Sequence, residues 1–179
     1  MNATAVLDAI AHKYSSCAMV REVVVEDSER RAAQRAFYKA QNPRFVEKYW
    51  PGTEDFTEDH GRILDTHKPF RRIDALMFDG GGTRTAIEVK ISRADYLRET
   101  DAKRRPWRKI THRFVYATPA GLLKPEEIPD GCGLWEVTDR GVRIVKRARS
   151  NKKPDPIPHQ VIVAFAYRIQ RAAAAERNT

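Results

Sequence analysis

The chain has 179 residues, enough for one domain with a sizeable core. Hydrophobic residues make up 41% and charged residues 32%, a globular composition richer in charge than an average domain. The net charge of +9 points to a polyanionic partner, either nucleic acid or an anionic membrane surface, and no apolar run approaches the ~20 residues of a membrane span.

The N-terminus, M-N-A-T-A-V-L-D-A-I, lacks the basic and long apolar regions of a signal peptide, so a cytoplasmic protein is expected. Val6, Leu7, Ile10 and Tyr14 repeat at helical spacing and predict a helix over 2–14, with Thr4 as a cap. Cys17 to Val25 reads as a strand that carries Glu22. Cys17 and Cys132 are far apart and lack metal-ligand spacing, which argues against a zinc site, an iron–sulfur cluster and a disulfide framework.

Asp27 to Tyr49 reads as a strongly basic helical stretch with an apolar stripe at Ala32, Ala36, Phe37 and Ala40. It is either a DNA-contacting arm or a solvated helix. Trp50 to Lys68 reads as a loop with an acidic cluster (Glu54, Asp55, Glu58, Asp59) flanked by His60 and His67. A charged, solvated loop is the expectation, because the spacing matches no metal-ligand pattern.

The stretch from Phe70 to Ile91 organises the rest. Gly80, Gly81 and Gly82 lie between two apolar, β-branched-rich runs, a hairpin signal. Centring the turn on Gly81 and pairing outward sets Asp74 opposite Glu88. Side chains alternate faces with period 2, so Glu88 and Lys90 share a side with Asp74. Ile73, Ala75 and Met77 point the other way with Ile87, Val89 and Ile91. Facing carboxylates destabilise a strand pair. They become reasonable with a divalent cation between them, since Mg²⁺ prefers oxygen and is typically held by one or two carboxylates. The other reading is a salt-bridge cluster on an exposed sheet face.

Ser92 is placed to cap a helix with Asp95 in its first turn. Arg93, Arg98, Lys103, Arg104, Arg105, Trp107, Arg108 and Lys109 follow, basic residues interleaved with an aromatic, as a phosphate track with a stacking platform requires. Trp107 alternatively anchors the core. His112 to Thr118 predicts a strand, Lys124 to Glu127 a turn, and 133–138 with 142–147 a second hairpin. A basic linker over 146–153 precedes a last helix from His159 to about Glu176, with Val161, Ile162, Phe165, Ala166 and Ile169 on one side.

Asp74, thirteen intervening residues, then Glu88-Val89-Lys90 resembles the PD-(D/E)XK nuclease motif, with Ile73 in place of its proline. E-V-K-I-S-R-A-D-Y-L (88–97), R-F-V-Y-A-T-P-A-G-L-L-K (113–124) and I-P-D-G-C-G-L-W-E-V (128–137) are similar to segments of MmcB-like DNA-repair proteins and related actinobacterial and phage proteins. The likeness covers roughly 71–137.

The resemblance implies a single restriction-endonuclease-like α/β domain, a central mixed β-sheet flanked by helices. The family pattern is shorter over 27–49, which makes that stretch an insertion. The implied activity is Mg²⁺- or Mn²⁺-dependent hydrolysis of DNA in repair or phage DNA metabolism, in the host cytoplasm if phage-encoded. Asp74 and Glu88 would bind the metal with the Val89 carbonyl, Lys90 would position the attacking water, and Glu22 is a further candidate ligand. Arg93, Arg98, Lys103, Arg104, Arg105, Trp107 and Lys109 are the expected DNA contacts. A non-cleaving DNA-binding module, a protein-interaction domain and a restriction-type endonuclease are the competing readings. Monomer and homodimer are both compatible with the sequence.

Overall fold

Burial in the strands follows the alternation of apolar residues, and six of them hydrogen-bond into one sheet. The structure is a computed structural model and describes residues 1–41 and 70–177. In chain order the elements are α1 (Ala3–Lys13), β1 (Ala18–Glu26), α2 (Ser28–Gln41), β2 (Phe70–Phe78), β3 (Arg84–Val89), α3 (Arg93–Leu97), α4 (Asp101–Ile110), β4 (Arg113–Pro119), β5 (Gly133–Thr138), β6 (Gly141–Lys146) and α5 (His159–Arg177). A single 3₁₀ turn, Pro125–Glu127, lies between β4 and β5. The chain divides into two compact units, one formed by 1–25 with 72–179 and the other by 26–71.

The strand order follows the sequence, β1 through β6. β2 and β3 are antiparallel, β3, β4 and β5 run parallel, and β6 returns antiparallel to β5. The molecule is therefore α/β with a mixed sheet. Parallel neighbours need a crossover of a dozen or more residues; α3 and α4 supply it between β3 and β4.

Both faces of the sheet are covered. α1 buries Val6, Leu7 and Ile10 against Ala75, Met77, Ile87, Val89, Val115 and Val137. On the other face, Trp107 and Ile110 of α4 and Val161 of α5 pack with Leu76, Ala86, Phe114, Tyr116 and Leu134. The cap of α1 is Asn2, whose side chain accepts from the Ala5 amide at 2.9 Å, and Thr4 lies inside the helix. Asn reaches the exposed third amide well from the N-cap position. Of the expected stripe on α5, Val161 is buried and Phe165 half-buried, whereas Ile162 and Ile169 are exposed.

Two expectations for the hairpin change. Leu76 and Ala86 share the side of Asp74 and Glu88, yet both are fully buried, because α4 and α5 cover most of that face. The polar region is thus confined to one end of the strands. Ile91 is exposed, because β3 ends at Val89 and the chain turns toward Ser92. The turn runs from Asp79 to Thr83, where Asp79 Oδ1 accepts from the amides of Gly81 and Thr83 at 2.9 and 2.8 Å. Of the three glycines only Gly82 has a left-handed φ, +78°.

In the second unit, α2 begins after Asp27, which is buried. Asp27 accepts from the Arg30 amide and from Arg71 Nε, each at 3.3 Å. Ala33, not Ala32, is the buried alanine. The remainder of the expected helix over 27–49, and the acidic loop with His60 and His67, lie outside the described residues.

Candidate active site

The site forms where β2 begins and β3 ends. The antiparallel ladder pairs Ala75 with Ile87, and the next residue along each strand is Asp74 and Glu88. Here the Asp74 carboxylate takes over backbone bonding: Oδ2 accepts from the Val89 amide at 2.7 Å. The Lys90 amide then donates to the Ala117 carbonyl at 3.0 Å, which holds the chain beside β4 for one residue beyond β3. That bond fixes the direction of the Lys90 side chain.

Lys90 is buried, and its ammonium donates to Glu88 Oε1 at 2.8 Å. A second carboxylate, Glu99, lies 3.1 Å from the same nitrogen, and Asp95 lies at 3.8 Å. Only 4% of the Glu99 side chain is exposed, and its Oε2 makes no hydrogen bond of good geometry. Three carboxylates thus lie within 4 Å of one ammonium, whose charge also reaches Asp74. The structure brings Asp74, Glu88 and Lys90 together and adds Glu99 and Asp95 from the chain that follows. Ser92 caps α3 by accepting from the Asp95 amide at 3.2 Å, which aims that helix and the turn after it back over Lys90.

The charges are unbalanced in a definite direction. Burial, and then the neighbouring Asp74 charge, push the Glu88 carboxyl up to about 7. Burial also raises Asp74, against the opposing effects of the Val89 amide and Lys90. For Lys90, burial disfavours the charge, but Glu88 and Glu99 together outweigh it, so the ammonium is held more firmly protonated than usual. Below the site, Tyr116 is the parallel partner of Glu88 and accepts from Arg104 Nη1 at 3.3 Å.

A divalent cation would relieve this imbalance, and two carboxylates are a normal protein contribution to Mg²⁺. Asp74 Oδ1 and the Glu88 carboxylate are the oxygens suited to hold one. Val89 follows Glu88 in the chain, with its side chain in the core. Among the described residues, no group of three or more His, Cys, Asp or Glu side chains is arranged to hold a metal ion. Any such ion would therefore rest on two carboxylates, backbone, water and substrate.

Comparison with known proteins adds little. No family model matches the chain, and no curated protein does. A solved structure, the SPO1766 protein of unknown function from Silicibacter pomeroyi, is 27% identical over 59% of this chain and 70% of that one, with a TM-score of 0.44.

Other expected site residues lie elsewhere. Glu22 is exposed on β1, and its carboxylate lies 3.8 Å from Arg72, whose charge also reaches Asp74. Trp107 is 1% exposed and belongs to the core, so it cannot present a ring for base stacking. Arg104 is also buried, held inward by Tyr116 and by Asp101 at 3.3 Å. The cause is the same for both: α4 packs one face on β4, and residues three apart share that face. Arg98, Lys103 and Arg105 are exposed, as are Arg93 and Lys109, which pair with Glu127 and Asp155. Sequence reasoning missed Glu99. The signal available was an acid a little beyond the helix that follows the lysine's strand, a weak one. Among the described residues, no helix is long and apolar enough to cross a membrane.

Proposed function

We propose that the chain is a metal-dependent deoxyribonuclease with a restriction-endonuclease-like core, acting at Asp74, Glu88 and Lys90. One observation carries this reading: a buried lysine 2.8 Å from a carboxylate whose own pKa is driven up by burial and then by a second carboxylate at the open end of two strands. Such an excess of buried acid is costly to fold and is common where a charged ligand completes the site.

Asp74 and Glu88 would hold Mg²⁺ or Mn²⁺. When bound, the ion supplies the Lewis acidity that polarises a phosphodiester and activates water. Lys90 contributes a fixed positive charge for the negative charge that develops at phosphorus, and an N–H donor to orient the attacking water. Glu88 and Glu99 fix where that ammonium sits. Exposed Arg98, Lys103 and Arg105 on the crossover lie along the chain from this end and suit the DNA backbone. A role in DNA repair or phage DNA metabolism follows from the motif resemblance.

The test uses purified protein with circular single- and double-stranded DNA in Mg²⁺, Mn²⁺ or EDTA. Cleavage of circles in metal but not EDTA, lost in Lys90→Ala with DNA binding retained, is the expected result. Circles have no ends, so a cut circle identifies an endonuclease. Asp74→Ala should also lose the heat of Mn²⁺ binding. Cleavage undiminished in EDTA would rule out the metal mechanism. DNA binding without cleavage in any metal would favour the non-cleaving module, with Lys90 and its acids as a buried ion-pair cluster.

A further inference from the structure

The sheet face turned away from Asp74 and Glu88 carries a cavity of about 340 Å³. It lies beside the Asp79–Thr83 turn, at the opposite end of the strands from the acids. Thr85 and its parallel partner Arg113 line it, at the start of β3 and β4, whereas Glu88 lies near the end of β3. None of Asp74, Glu88, Lys90 or Glu99 touches it. The cavity has the volume of a small-molecule site, at the low end of the roughly 300–1,000 Å³ usual for such sites.

Its floor is apolar. Met77 and Val115 are buried there with Trp135, whose ring stacks on Tyr14 at 5.0 Å between centroids and 23° between planes. Its rim is cationic. Arg113 and Arg147 are both exposed, and among the described residues neither guanidinium makes a hydrogen bond or ion pair. Asp79 is the one acid among the described lining residues. Its Oδ1 is already committed to the turn amides, and those bonds, with Arg113 behind them, hold its carboxyl below the usual range. The rim therefore keeps a net positive charge. Tyr14 and Cys17 complete the titratable groups on the lining, and burial raises the Tyr14 phenol, so it stays neutral.

Two guanidinium groups without a hydrogen bond or ion pair among the described residues, over an aromatic floor, select a ligand with a flat apolar body and an anionic head. The guanidinium fork matches phosphate oxygens two at a time. Aromatic side chains accept a base with little regard to its identity. We propose that this cavity binds a nucleoside monophosphate, its base against half-buried Tyr14 on the apolar floor and its phosphate between Arg113 and Arg147. The same chemistry arrives either as a free nucleotide or as the phosphorylated end of a strand. The inference does not depend on hydrolysis at Asp74, Glu88 and Lys90.

Calorimetric titration of the full chain in EDTA tests it, with dAMP, dTMP, inorganic phosphate, and a short oligonucleotide with and without a 5′-phosphate. Saturable nucleotide binding is expected, with inorganic phosphate weaker by roughly tenfold or more because it lacks the apolar body. Arg113→Gln with Arg147→Gln should weaken nucleotide binding by roughly tenfold or more, and both positions are exposed, so the fold should hold. Ile144→Asp, at an exposed lining position, should weaken it as well by repelling the phosphate. Bound nucleotide should slow maleimide labelling of half-buried Cys17, while Cys132 is buried and stays silent. A 5′-phosphorylated strand that binds more tightly than free nucleotide and protects Cys17 would identify a strand end as the source; the reverse order would identify the free nucleotide. The proposal is overturned if neither ligand saturates, if the double arginine variant binds equally well, or if Cys17 labelling is unchanged at saturation. Loss of cleavage in Lys90→Ala bears only on the acid–lysine site and leaves this result untouched.

Discussion

Glu88→Gln removes one buried charge but keeps the side chain's shape and an oxygen that can accept from Lys90. In the folded protein the Glu88 carboxyl is raised from 4.5 to about 7, by burial and then by Asp74. Between those pH values the folded state holds a proton that the unfolded chain releases. The stability linked to that proton is fully present below 4.5 and is lost as the pH rises through about 7. At ~1.36 kcal/mol per pH unit, the interval corresponds to roughly 3 kcal/mol. The Glu88 side chain is only 18% exposed, so solvent screening removes little of this. The assay is urea unfolding of both proteins in EDTA from pH 4.5 to 8, read as a difference. Subtraction cancels Asp79, Glu127 and Glu136, which hydrogen bonds hold below the usual carboxylate range and which change stability in the opposite sense. The variant should gain on the wild type by roughly 3 kcal/mol across that range and be the more stable protein at pH 8. It should also lose cleavage, a gain in stability at the expense of function. Mg²⁺ at a hundred times its Kd should return ~2.7 kcal/mol to the wild type and almost none to the variant. Stability curves that run parallel from pH 4.5 to 8 would refute the reasoning, because Glu88 would then be an ordinary solvated carboxylate.

Further outcomes follow from the geometry. Glu99→Gln leaves Lys90 with Glu88 as its close carboxylate partner, so kcat should fall by roughly tenfold or more while KM for DNA stays constant; equal kcat in steady-state kinetics would remove Glu99 from the site. Trp107→Ala should lower stability by about 3–5 kcal/mol in chemical denaturation, the cost of deleting a buried indole; Trp107→Phe should leave DNA affinity unchanged. Replacing exposed Arg98, Lys103 and Arg105 with Gln should flatten the slope of log affinity against log salt by about two to three units. Arg104→Gln should leave that slope alone and lower the melting temperature instead, because Arg104 serves Tyr116 and Asp101; a slope that moves as much for Arg104 as for its exposed neighbours would contradict its burial.

Local chemistry was enough to read the hairpin from the sequence. A turn centred at Gly81 and a period of 2 set the register, and the register alone puts Asp74 beside Glu88 and sends Ile87 and Val89 to the far face. The cap at Ser92 was equally legible, since a hydroxyl one residue before a helix has a fixed use. These features depend on residues close in sequence, where steric and hydrogen-bonding rules act without knowledge of the rest of the chain. The tertiary structure decided what covers each face. Leu76 and Ala86 share the side of the acids, yet they are buried because α4 and α5 lie over them. Trp107 and Arg104 read as members of a basic, aromatic track, and packing against β4 turned both inward. Glu99 sits 3.1 Å from Lys90 although it lies nine positions further along the chain, because the crossover between β3 and β4 folds back over the strand end. Periodicity shows which side chains share a face. Whether that face meets water, a helix or another charge depends on contacts between distant segments.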